Sequence, residues 1–161
     1  MRLFLKYWTP VLIWLGVISV ASGDLMSAEH TSRFIGPFLL WLNPDISTGT
    51  IAEFQFCVRK AAHVTEYAIL ALLLCRAVFC KATANAARSL LFVGVWIACV
   101  FVAASDEFHQ SFVESRGASV WDVMIDSAGA ILGLLIYSSW TRRKRARLRP
   151  GNRKSQIEHR Q

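Results

Sequence analysis

The chain has 161 residues, 54% of them hydrophobic and 18% charged, with a formal net charge of +7 and a mean hydropathy of +0.38. This length holds one domain, and the balance fits an integral membrane protein and not an ordinary soluble one. The excess charge is local: residues 142–161 carry nine Lys or Arg against one acid, Glu158, and the other 141 residues hold nine bases and ten acids. A basic run directly after an apolar stretch reads as a cytoplasmic topology signal with attraction to anionic lipid, not as a nucleic-acid surface.

Leu3 to Ala21 is the first apolar run, with Arg2 and Lys6 at its start and Pro10 inside it. A basic start followed by Ala21-Ser22-Gly23 has the look of a cleaved signal peptide, but the run also suffices for an uncleaved span, which is the reading preferred here. Residues 23–49 are polar and turn-rich except for Phe34 to Leu42, which is apolar, aromatic and too short to cross. An interfacial segment on the outer surface, with Trp41 at headgroup level, is expected there.

Thr50 to Cys80 reads as one long helix, with Thr50 and Glu53 at the spacing of a capping box and a membrane span over 57–80. Its first two turns should project beyond the lipid. The next spans are expected over 88–105 and 118–140, joined by a short external loop, Asp106 to Arg116. The last span carries Gly129 and Gly133 at GxxxG spacing, which permits close helix approach. The fold class is therefore all-α: four transmembrane helices, an external interfacial segment between the first two, a membrane domain over 1–141 and a basic tail over 142–161 expected to be disordered. Of the four cysteines, Cys57, Cys75, Cys80 and Cys99, no pair has CxxC or zinc-finger spacing, so they read as small apolar residues.

With both termini cytoplasmic, fourteen Lys or Arg lie inside and four lie outside (Arg33, Arg59, Lys60 and Arg116). That asymmetry fits the positive-inside bias and places the polar residues of separate spans together at the outer side. One helix brings Arg59, Lys60, His63, Glu66 and Tyr67, the loop brings Asp106, Glu107, His109, Gln110 and Arg116, and the last span brings Asp122 and Asp126. The i,i+3 and i,i+4 spacings within each helix put these residues on shared faces. Asp126 sits about 10 Å into its helix. An unpaired acid at that depth costs roughly 2.5–3.5 kcal/mol on insertion scales, so a partner among Arg59, Lys60, His63, Tyr67 and Arg116 is required.

Charge at this depth points to function by default, and the residue types allow three readings. Arg59, Lys60 and Arg116 would anchor an anionic ligand, with Tyr67, Gln110, Asp122 and Asp126 completing a binding site. His63, Glu66, Asp106, Glu107 and His109 would be the candidates for acid–base catalysis. Alternatively, the whole set is a structural network that locks the helices. Metal-ligand spacings are absent: His63-Val-Thr-Glu66-Tyr67 has Tyr where H-x-x-E-H needs its second histidine, and no cofactor motif is present.

Three ordered blocks carry a resemblance: Arg59-Lys60-x-x-His63-x-x-Glu66-Tyr67, Ser105-Asp106-Glu107-x-His109-Gln110-x-Phe112-x-x-x-Arg116, and Asp122-x-x-x-Asp126-x-x-Gly129-x-x-x-Gly133. From about Glu53 to Tyr137 the chain resembles the VanZ-like family. It departs at Glu114-Ser115, where the family pattern has Pro-Gly, and at Asp126, where Asn is frequent. The resemblance implies a small multi-pass protein of the bacterial cytoplasmic membrane, in a family named for a teicoplanin-resistance protein. It further implies a cell-envelope role; the cations gathered beside lipid at the outer leaflet make membrane lipid, an anionic lipid or a lipid-linked cell-wall precursor the expected partner. The resemblance brings no established reaction.

Overall fold

The computed structural model describes residues 2–23, 28–79, 85–112 and 119–147. They form five helices: α1 (Arg2–Ala21), α2 (Ala28–Leu42), α3 (Thr48–Phe79), α4 (Asn85–Gln110) and α5 (Val120–Arg147). α1, α3, α4 and α5 are each long and apolar enough to cross a membrane, whereas the apolar part of α2, Ser32–Leu42, is not. The all-α membrane bundle expected from the sequence is the fold observed.

α3 is the central element and packs on each of the other four helices, most extensively on α5. That contact is close because the GxxxG face of α5 meets α3 backbone. A Cβ added at Gly129 would fall 2.9 Å from Val64 Cα, and one at Gly133 would fall 3.0 Å from Ala68 Cα. The core is built mainly of small residues, Ala68, Ala71, Cys75, Cys99, Ala103 and Ala130, around fully buried Tyr67 and Leu70. Large apolar side chains point outward instead, among them Leu12, Ile13, Leu90, Ile97, Phe101, Leu132 and Leu135. Lipid solvates such side chains as well as a core does, so membrane helices associate through small residues that let backbones approach.

Consecutive spans alternate in direction. One end of the bundle, the polar end, gathers the C-termini of α1 and α4, the N-terminus of α5 and the first half of α3. The other gathers aromatic and basic residues: Phe79, Phe92 and Tyr137 pack together, Arg76 lies over Tyr7, and Lys144 lies over Trp140. α3 begins roughly three turns before Lys60, about 18 Å at 1.5 Å per residue. α2 lies against this projecting part, with Ser32 Oγ donating to Gln55 Oε1 at 3.0 Å.

Three boundaries differ from expectation. α3 is capped by Ser47, whose Oγ accepts the Thr50 N–H at 3.1 Å, so Thr50 lies inside the first turn and is not the cap. α4 continues to Gln110, and the stretch Asp106 to Gln110 expected in a loop is its last turn. α5 continues to Arg147, so the first six residues of the basic tail, expected disordered, are helical; residues 148–161 lie outside the described residues. Arg, Lys and Ala are good helix formers, and cations at a helix C-terminus are favoured by its dipole.

Candidate functional site

At the polar end the buried charges are paired across helices. Lys60 Nζ donates to Asp122 Oδ1, joining α3 to the first turn of α5. One turn deeper, His63 Nδ1 lies 3.1 Å from Asp126 Oδ1, and an N–H at Nδ1 donates to that carboxylate. The two pairs follow from geometry: Lys60 to His63 and Asp122 to Asp126 are each about one turn, so helices held side by side by Gly129 and Gly133 present two matched rungs. Of the partners open to Asp126 in the sequence, His63 is the one bonded to it among the described residues.

The end of α4 forms the second half of the cluster. Asp106 Oδ2 accepts from Ser22 Oγ at 2.6 Å, tying in α1, and from Gln110 Nε2 at 3.0 Å. Glu107 Oε2 accepts the Ser119 N–H at 2.8 Å, so this carboxylate sits at the N-terminus of α5, where donors are exposed and the helix dipole favours negative charge. α1 contributes again through Trp14, whose Nε1 donates to the Glu66 carbonyl at 2.9 Å.

The pairing is incomplete at three buried atoms. Tyr67 Oη, Glu107 Oε1 and Asp126 Oδ2 have no hydrogen-bond partner among the described residues. Their side chains belong to residues only 0%, 5% and 0% exposed. A buried polar group without a partner costs about 1–3 kcal/mol, and more when charged. Three of them in one cluster therefore call for donors and acceptors from elsewhere. Beside the cluster a recess of about 250 Å³ lies between α1 and α4, with Ser19, Ser105, Asp106 and His109 as its polar lining and Ile18 and Val102 as apolar wall.

Of the residues singled out in the sequence, Lys60, His63, Asp106, Glu107, Gln110, Asp122 and Asp126 enter this hydrogen-bonded network, with Tyr67 buried and Glu66 half-buried beside it. Arg59 is half-buried, with no ion-pair partner among the described residues. His109 is exposed and lines the recess; Arg116 lies outside the described residues. Ser22, Trp14 and Ser119 were missed. Ser22 carried a faint signal, as a hydroxyl at the end of an apolar run, whereas Ser119 acts through its backbone, which no sequence pattern marks.

Four apolar spans surrounding a buried, cross-helix polar cluster define a multi-pass α-helical membrane protein with a candidate site at one end of its bundle. Over residues 7–141 the chain matches the family model described as VanZ/LLP1, and it belongs to this VanZ-like family. No curated protein and no solved structure matches the chain.

Proposed function

We propose that this VanZ-like protein serves the bacterial cell envelope, with the polar end of the bundle at the outer face of the cytoplasmic membrane and both termini inside. There it binds the headgroup of an anionic lipid or of a lipid-linked cell-wall precursor. The observation that carries the reading is the set of three buried atoms on Tyr67, Glu107 and Asp126 without a hydrogen-bond partner among the described residues, in a cluster whose Asp106 also lines a recess between α1 and α4. A network built only to lock helices has no use for buried groups left unpaired, whereas binding sites keep them for a ligand.

The arrangement also sharpens the ligand chemistry. Lys60 is engaged by Asp122, so the anchors for an anionic group are Arg59 and Arg116. The carboxylates of Glu107 and Asp126 instead offer acceptors, which suit hydroxyl or amine groups. A headgroup combining an anion with such donors is complementary to both.

The test is lipid retained by the purified full chain. Arg59→Ala, Arg116→Ala and Glu107→Gln should each lower the co-purifying lipid while leaving thermal unfolding close to wild type. Undiminished lipid in all three would overturn the proposal. If Arg116→Ala instead lowers stability and leaves the lipid in place, Arg116 is the internal partner of the buried carboxylates.

The His63–Asp126 pair supports a second reading, acid–base catalysis on a lipid-linked substrate, because a carboxylate on one ring nitrogen orients the other for proton transfer. Lipid profiles of cells expressing wild type or His63→Ala with His109→Ala decide it: identical profiles at equal protein levels count against an enzyme. A part in glycopeptide resistance follows from the precursor-binding reading, and teicoplanin susceptibility with and without the chain measures it.

A further inference from the structure

The opposite end of the bundle holds a second cavity, of about 490 Å³, between the start of α4 and the end of α5. Arg88, Arg142 and Arg145 line it with Ser89, over aromatic walls from Phe92 and Tyr137. None of these arginines has an ion-pair partner among the described residues, and of the eleven acids in the chain all but Glu158 lie at or before Asp126. Three guanidinium groups around one cavity repel one another unless an anion sits among them.

Arg88 is held in place for such a role. Its guanidinium lies over the Phe79 ring, 5.7 Å from the centroid, and its buried Nε has no hydrogen-bond acceptor among the described residues. Helix α5 extends beyond the apolar span as far as Arg147, so Arg142 and Arg145, three residues apart, share one helical face at a fixed height above the aromatic floor.

We propose that this cavity binds the phosphate of an anionic phospholipid in the leaflet at the basic end, a site separate from the one at the polar end. Arg88, Arg142 and Arg145 would grip the phosphate, and guanidinium forks suit its oxygens. A lipid is favoured over free phosphate because the cavity opens between two membrane-spanning helices, where Phe92 and Tyr137 meet acyl chains.

The experiment compares two double variants of the full chain that remove equal charge from the same helix segment. Arg142→Gln with Arg145→Gln strips the cavity; Arg143→Gln with Arg147→Gln removes exposed cations outside it. Thermal stabilisation in detergent is titrated with phosphatidylglycerol, with phosphatidylcholine and with inorganic phosphate. Phosphatidylglycerol alone should stabilise wild type, the cavity variant should need about tenfold more of it or lose the response, and the control variant should respond as wild type. Equal loss in both variants would reduce the effect to general surface charge and overturn the site. Stabilisation by inorganic phosphate as strong as by phosphatidylglycerol would overturn the lipid assignment, and no response to either would overturn both.

Discussion

Gly129→Ala is the sharpest probe of how the bundle sets its polar site. The new Cβ would fall 2.5 Å from the Val64 carbonyl oxygen and 2.9 Å from Val64 Cα, and both are backbone atoms that cannot swing aside. Ordinary contact lies near 3.5 Å, so α5 must retreat from α3 by roughly 1 Å, and overpacking of this kind costs about 1–3 kcal/mol. Helix propensity works the other way, since Ala exceeds Gly by about 1 kcal/mol in a helix interior. The same retreat acts on Asp126, one turn before Gly129 on α5: a His63–Asp126 separation of 3.1 Å would open to about 4 Å, beyond hydrogen-bond range. Two buried polar groups would then lose their partners, at about 1–3 kcal/mol each. Packing and pairing outweigh propensity, and net destabilisation of several kcal/mol follows. Thermal unfolding of purified protein in mild detergent measures it, with Gly94→Ala as control, because nothing stands within 4 Å of a Cβ there. The control should melt at or slightly above wild type. Gly129→Ala melting with the control would refute the close-packing argument.

Gly133→Ala should destabilise through the same clash, against Ala68, but with a smaller effect on lipid retention, because it lies a further turn from Asp126; melting and co-purifying lipid measured on one preparation check both. Breaking the His63–Asp126 pair by His63→Ala should cost about 3–5 kcal/mol, since it leaves a fully buried carboxylate alone, whereas His63→Ala with Asp126→Ala should cost less than the single change. A double-mutant cycle of unfolding free energies measures that recovery. Lys60 and Asp122 are partly exposed, with side-chain exposures of 23% and 16%, so Lys60→Met should cost less than His63→Ala in the same assay. Ser22→Ala removes a hydroxyl donor to a charged acceptor and should destabilise by about 1.5–3 kcal/mol, seen as earlier unfolding.

The spans were legible because a run of about twenty apolar residues has few other destinations. The faces that carry Lys60, His63, Asp122 and Asp126 were legible too, since i,i+3 and i,i+4 spacing places residues on one side of a helix. Which base meets which acid was not. That depends on the sliding register of α3 against α5, and the register is set by where Gly129 and Gly133 seat on Val64 and Ala68. The end of α4 was misplaced for a related reason. Asp106, Glu107, His109 and Gln110 look like loop residues after an apolar span, yet in the folded chain they have partners: Ser22 and Gln110 satisfy Asp106, and Ser119 satisfies one oxygen of Glu107. Backbone hydrogen bonding then carries through the turn, with the Ser111 N–H donating to the Glu107 carbonyl at 3.1 Å. The cap of α3 was misread by three residues because Ser47 and Thr50 are both good caps, and local sequence does not rank them.

Tyr67 separates a binding site from a purely structural network more directly than any other residue. It is fully buried, yet its hydroxyl has no hydrogen-bond partner among the described residues. Tyr67→Phe keeps the ring and removes only that oxygen, so no hydrogen bond among the described residues is lost and a buried polar atom is shed. The measurement is mass spectrometry of the lipid bound to purified Tyr67→Phe beside wild type, with thermal unfolding of the same samples. Binding at the polar end predicts a variant that melts at or above wild type and carries clearly less lipid. A variant equally stable and equally loaded with lipid would contradict it.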